Sequence, residues 1–134
     1  MLQLHWKFDV INKLIGTIVF STILFAHSQT PTKYGGEKNK LDSISTTQIK
    51  IIPITIQNLN KYNQSYKIEV DGEIIGLTNK LTSKQIKRLK IPVKIYKKNT
   101  LENHSICSIS IPRTKDEMFN TKICTKVLLY WTSQ

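Results

Sequence analysis

Tyr66-Lys-Ile-Glu-Val-Asp-Gly-Glu-Ile-Ile-Gly76 (YKIEVDGEIIG) is the stretch that decides the fold. Tyr66, Ile68 and Val70 alternate with Lys67 and Glu69, the period of a strand with one buried face. Asp71-Gly72 follows at once. A type I′ turn needs positive φ at both central residues, and Asp-Gly supplies that at low cost. The return strand is Glu73–Gly76, and pairing across the turn sets Ile75 opposite Ile68 on one apolar face.

Alternation continues outward from this hairpin. Upstream, Ile49 to Gln57 (IKIIPITIQ) places Ile52, Ile54 and Ile56 on one face before Asn58-Leu59-Asn60 breaks the run. Pro53 has no N–H for a ladder, which predicts a sheet edge there. Downstream, Ile86 to Lys97 sets Leu89, Ile91, Val93 and Ile95 on one face, with Arg88, Lys90, Pro92, Lys94 and Tyr96 on the other. Pro92 again predicts an edge or a bulge. A helical turn over Ser83–Leu89 is the rival assignment, because Ile86 and Leu89 also fit a helical period. Ser105–Ile111 and Lys122–Trp131 predict a closing hairpin through a loop holding Pro112, Arg113, Asp116 and Glu117.

About six such strands, separated by turn signals, predict an all-β domain over residues 47–134, a small antiparallel immunoglobulin-like β-sandwich. The segment ITIQNLNKYNQSYKIEVDGEIIG (54–76) resembles consecutive strands of immunoglobulin-like domains in exported bacterial proteins. The shared features are an apolar strand ending in Asn, a polar loop and a Tyr-x-Ile-x-Val strand. The resemblance covers Ile54–Gly76 and implies the sandwich fold, with no particular family attached.

The chain before the domain divides in two. Residues 1–28 carry Lys7 and Lys13 ahead of an uncharged apolar run from Leu14 to Ala26, and Ala26-His27-Ser28 places small residues at −3 and −1 of a cut after Ser28. These are the marks of a signal-peptide helix. A helix over that run spans ~20 Å, short of a ~30 Å hydrocarbon core, so no stable membrane span is expected after cleavage. An uncleaved signal anchor is the alternative. Residues 29–46 are polar, hold Pro31 and Gly35-Gly36, and predict a flexible leader.

Export bears on the cysteines. Cys107 and Cys124 are the only two, and an even count in an oxidising compartment predicts a disulfide. Direct opposition of the pair sets Ile109 against Lys122, so the apolar face of the last strand (Ile123, Val127, Leu129, Trp131) is the one lacking Cys124. A bulge, or a bond between strands not simply paired, is then expected. A zinc site is disfavoured, since Cys107, Cys124 and His104 make three ligands at irregular spacing.

The net charge is +11, from 20 Lys+Arg against 9 Asp+Glu. Lys, Ile and Asn together supply 47 of 134 residues, a pattern that AT-rich codons produce, so the sum alone is weak evidence for a polyanion partner. Position is more informative. Lys84, Lys87, Arg88, Lys90, Lys94, Lys97 and Lys98 fall within 15 residues that hold no acid. Period-two spacing brings Arg88, Lys90, Lys94 and Lys98 to one face with Tyr96 among them. Such a row can contact nucleic acid, anionic glycan or lipid, or it can guard an exposed edge strand against pairing.

Catalytic signals are weak. Beyond residue 28 the only histidine is His104, beside Glu102 in a predicted loop, and no phosphate loop, paired catalytic carboxylates or nucleophile motif appears. No motif points to a cofactor or a metal. The expectation is an exported, non-catalytic domain of the periplasm or cell surface that acts by protein contact. It would serve as a subunit or accessory factor of a pilus, secretion or conjugation type of envelope assembly, with edge-strand addition as a route to partners. A polyanion-binding module built on residues 84–98 is the alternative.

Overall fold

A computed structural model describes residues 26–117 and 120–132. The signal-peptide helix expected over the N-terminal segment lies outside the described residues up to position 25.

Two sheets face each other across an apolar core, an all-β sandwich of the immunoglobulin-like kind. One sheet has the order β1-β4-β7, from β1 (His27–Thr30), β4 (Ile49–Asn58) and β7 (Ile86–Lys94). The other runs β2-β9-β8-β5-β6, from β2 (Lys33–Tyr34), β9 (Lys122–Trp131), β8 (Leu101–Ser110), β5 (Tyr66–Val70) and β6 (Glu73–Leu77), and β3 (Ile44–Ser45) also pairs with β9. β2 and β3 join β9 in parallel; the remaining pairs are antiparallel. The stretch 29–46, expected as a flexible polar leader, therefore crosses from one sheet to the other. Between β2 and β3 it forms a 3-10 turn (Glu37–Asn39) and one turn of helix, α1 (Lys40–Ser43).

Ile52, Ile54 and Ile56 of β4 meet Ile91, Val93 and Ile95, all buried, against Tyr66, Ile68, Ile106, Val127 and Leu129 of the second sheet. The inward faces of β4 and β7 are those that alternation assigned, and residues 86–89 are strand, not helix. Burying one Ile side chain contributes about 2 kcal/mol, which is why these strands keep their register. Pro53 does not mark an edge strand, because β4 is central. β1 reaches only to Thr55 along β4, however, so the position of the missing N–H lies beyond the end of β1.

The Asp71-Gly72 turn has φ of 52° and 85°, the positive pair expected of type I′. Its register differs from expectation. Val70 pairs with Glu73 and Glu69 with Ile74, but Ile68 pairs with Gly76, so Ile75 is an extra residue at a β-bulge and is half exposed.

Cys107 and Cys124 are joined, and they sit directly opposite in a β8–β9 ladder that has no bulge. The expected conflict of faces is resolved on β8. Its core side is His104, Ile106, Ser108 and Ser110, so Cys107 and Ile109 face outward with Cys124 and Lys122. Polar residues can occupy the core side because each has a partner: Asp71 and Glu102 for His104, Thr121 N for Ser110, and β1 for Ser108. The His27 ring nitrogens lie 2.9 Å from Ser108 Oγ and 2.8 Å from Thr121 Oγ1, and Gln29 Nε2 donates to Ile106 O at 2.9 Å.

Candidate functional site

The row of basic residues starts on β7, at the open edge of the three-stranded sheet. The hydrogen bond from Ile95 N to Gln48 O (2.7 Å) fixes the phase of the β4–β7 ladder. Counting by twos, Ile91 and Val93 exchange backbone bonds with β4. Ile86, Arg88, Lys90, Pro92 and Lys94 therefore turn their backbone groups away from it. Arg88, Lys90, Pro92 and Lys94 also expose their side chains. Arg88, Lys90 and Lys94 make no ion pair with any of the described residues.

Across the ladder stand residues that alternation alone did not single out. Ile49 is opposite Lys94, Ile51 opposite Pro92 and Pro53 opposite Lys90; Ile49 and Ile51 are each about half exposed. Opposed side chains in such pairs lie roughly 5 Å apart, so an apolar column runs beside the cationic one.

The other two residues of the expected face part from this row. β7 ends at Lys94, and Tyr96 lies beyond it, 68% exposed, with the Lys94 ammonium 5.7 Å from its ring centre. Lys98 belongs to the other sheet's end, where its ammonium stands 5.0 Å from the centre of the Trp131 ring. The structure thus groups Arg88, Lys90 and Lys94, puts Tyr96 at the margin and separates Lys98.

The opposite edge of the molecule has different chemistry. β6 ends the larger sheet and exposes Ile74, Ile75 and Leu77, with Leu77 at 67%. The bond from Thr78 N to Tyr66 O (2.8 Å) fixes the phase here as well. Lys67–Leu77 and Glu69–Ile74 are the pairs without ladder bonds, so Leu77 and Ile74 direct their N–H and C=O toward the open side. β6 holds no Lys, Arg or Pro. β7 carries the basic charges and the proline that ordinarily blunt an edge; β6 has neither, and holds only Glu73 beside the turn and the bulge at Ile75.

A polar clamp sets the position of β6. His104, buried on β8 and not in the loop expected for it, has Nδ1 2.6 Å from Asp71 Oδ2 and Nε2 2.9 Å from Glu102 Oε1. Asp71 is the hairpin turn itself, and its other oxygen accepts from Ser105 N at 2.8 Å. Glu102 accepts from Tyr96 N and from Lys97 N (2.8 Å). Burial pushes the Glu102 carboxyl up, but those two N–H donors and His104 together hold it below the usual range. Both ring nitrogens of His104 are taken by carboxylates, so the arrangement fastens the turn and leaves no nitrogen free to act as a base. Spacing sets Glu102 beside His104 but assigns both to a loop, and it cannot bring in Asp71, which reads as a turn former.

Other ionisable groups serve the core. Desolvation lowers His27 to about 4 despite its hydrogen bond with Ser108, and burial raises the Tyr66 hydroxyl to about 12, with Tyr62 adding to the shift. No group of three or more metal-binding side chains gathers among the described residues. Among them, too, no helix is long and apolar enough to cross a membrane. The disulfide is of a kind that an oxidising compartment forms and keeps.

No family model matches the chain, and no curated protein matches it. Among solved structures, the crystal structure of the E. coli chaperone DraB is similar, with a TM-score of 0.58 and 16% sequence identity. The match covers 80% of this chain and 56% of that one, so the chain spans little more than half the chaperone's length. At that identity the likeness is one of fold alone, an all-β sandwich.

Proposed function

We propose that this protein is an exported, non-catalytic β-sandwich that works by protein contact, as a subunit or accessory factor of a bacterial envelope or surface assembly. Its partner is an extended apolar segment of an envelope protein, added as a further strand along β6. The observation that carries this is the open apolar edge: Ile74 and Leu77 offer outward backbone groups and exposed apolar side chains on a strand without Lys, Arg or Pro. Main-chain bonds supply affinity in strand addition, and alternate side chains supply selectivity. The fold likeness to a chaperone and the disulfide are in keeping with it.

Two substitutions at one position test it. Ile74→Pro removes an outward N–H that β5 does not use, whereas Ile74→Ala removes only the side chain. Envelope partners that co-purify with the wild type should be lost with the Pro variant and weakened with the Ala variant. Equal retention by both refutes strand addition at β6.

A second reading rests on the unpaired Arg88, Lys90 and Lys94 row. A polyanion partner would bind with a steep loss of affinity in salt, abolished by Lys90→Glu with Lys94→Glu and indifferent to Ile74→Pro. Failure of those charge reversals to alter binding to DNA or acidic glycan would leave the row as edge protection.

A further inference from the structure

We infer that the exported form of this protein begins at His27, so that the processing peptidase cuts the Ala26–His27 bond. This rests on the proposed export. The start of the fold carries the inference. β1 runs from His27 to Thr30 and pairs His27 with Asn58 and Ser28 with Gln57. His27 is fully buried, with its ring 4.6 Å from that of Tyr66 and its two nitrogens on Ser108 and Thr121.

A cut after Ser28 would remove half of β1. It would leave an imidazole-sized void beside Tyr66 and strip the Ser108 and Thr121 hydroxyls of their partner. A cut after Ala26 removes none of this. Among the described residues, one backbone bond lies upstream of His27, from Leu59 N to Ala26 O at 3.2 Å, at the half-exposed end of the ladder.

Ladder phase also decides where the new terminal charge goes. The Leu59–Ala26 bond makes Ser28–Gln57 a bonded pair and His27–Asn58 an unbonded one, so the His27 backbone nitrogen points away from β4. An α-ammonium created there meets the open side of β1 and not the core, and needs no partner. Ala26 supplies the small residue at −1, with the aliphatic Leu24 at −3 where the cut after Ser28 would have Ala26. The step is a hydrolysis: one water adds across the amide, Ala26 leaves with the carboxylate and His27 keeps the amine.

The test is N-terminal peptide sequencing and intact mass of the full chain, expressed in a bacterium with its export machinery and recovered from the periplasm. An N-terminus at His27 is expected. Ala26→Arg should abolish processing, and Ser28→Arg, at a half-exposed position after the bond, should leave the His27 terminus unchanged. A wild-type terminus at Gln29, or loss of processing with Ser28→Arg alone, overturns the proposed bond and leaves export standing. A wild-type chain retained with Met1 overturns export and, with it, the inference.

Discussion

The buried imidazole of His27 makes the stability of the sandwich dependent on pH in a defined window. In the unfolded chain His27 titrates near 6.5; in the fold, desolvation takes it to about 4. Between those values the unfolded chain binds the proton and the folded chain does not, so stability is full above 6.5 and falls as the pH drops toward 4. The difference amounts to about 3 kcal/mol in total and about 2 kcal/mol by pH 5. Chemical denaturation of the oxidised domain from pH 7.5 to 4 measures it. His27→Gln, which can still hydrogen-bond to Ser108 and Thr121 but carries no titrating group, isolates the effect from carboxylates such as Glu102. The wild type should lose about 2 kcal/mol more than His27→Gln between pH 7.5 and 5. The His27 ring protons should titrate in an NMR series with a midpoint near 4. Parallel stability profiles for the two proteins would refute the assignment of a buried neutral ring.

Three further outcomes follow from the packing. Replacing both cysteines by Ser should cost about 3 kcal/mol, since the bond closes a loop of 17 residues in the unfolded chain; unchanged thermal stability would count against a structural role. Asn58 donates to the carbonyls of Tyr62, Leu81 and Thr82 and accepts from Asn60 N, so Asn58→Ala should cost about 3 kcal/mol in denaturant unfolding. A loss under about 1 kcal/mol would show that the surrounding loops re-pair. Gly35 has φ +77° and no room for a Cβ between Ser43 and the Leu128 carbonyl, so Gly35→Ala should cost about 2 kcal/mol or more and raise hydrogen exchange along α1.

Much of the sandwich is legible in the chain wherever one strand face is wholly apolar. β4 and β7 are of that kind: Ile52, Ile54 and Ile56, and Leu89, Ile91 and Val93, each recur by twos. β8 is not. Its inward side chains include His104, Ser108 and Ser110, so alternation selects the wrong face; the true one is tenable because Asp71 and Glu102 pair His104, Thr121 N donates to Ser110, and His27, from the other end of the chain, pairs Ser108. β1, β2 and β3 are two to four residues long and mostly polar, too short for any period. The bulge at Ile75 follows from the pairing geometry of a finished hairpin. The cationic row illustrates the same limit: Arg88, Lys90 and Lys94 are placed by period, but Lys98 is lost to it because β7 stops four residues earlier.

β1 has a consequence for the order of assembly. Its side chains bond to Ile106, Ser108, Thr121 and Thr125, between 77 and 96 residues away. A chain delivered N-terminus first, whether from a ribosome or through a pore, has β1 at hand long before these partners arrive. Its inward residues are polar and hold little apolar surface of their own, so until the β8–β9 hairpin is present only the ladder to β4 and the Tyr66 ring hold the strand. Closure through such distant contacts is slow. The first strand made is thus completed by the last hairpin made, and its polar side chains have no partners on β8 and β9 until that hairpin arrives.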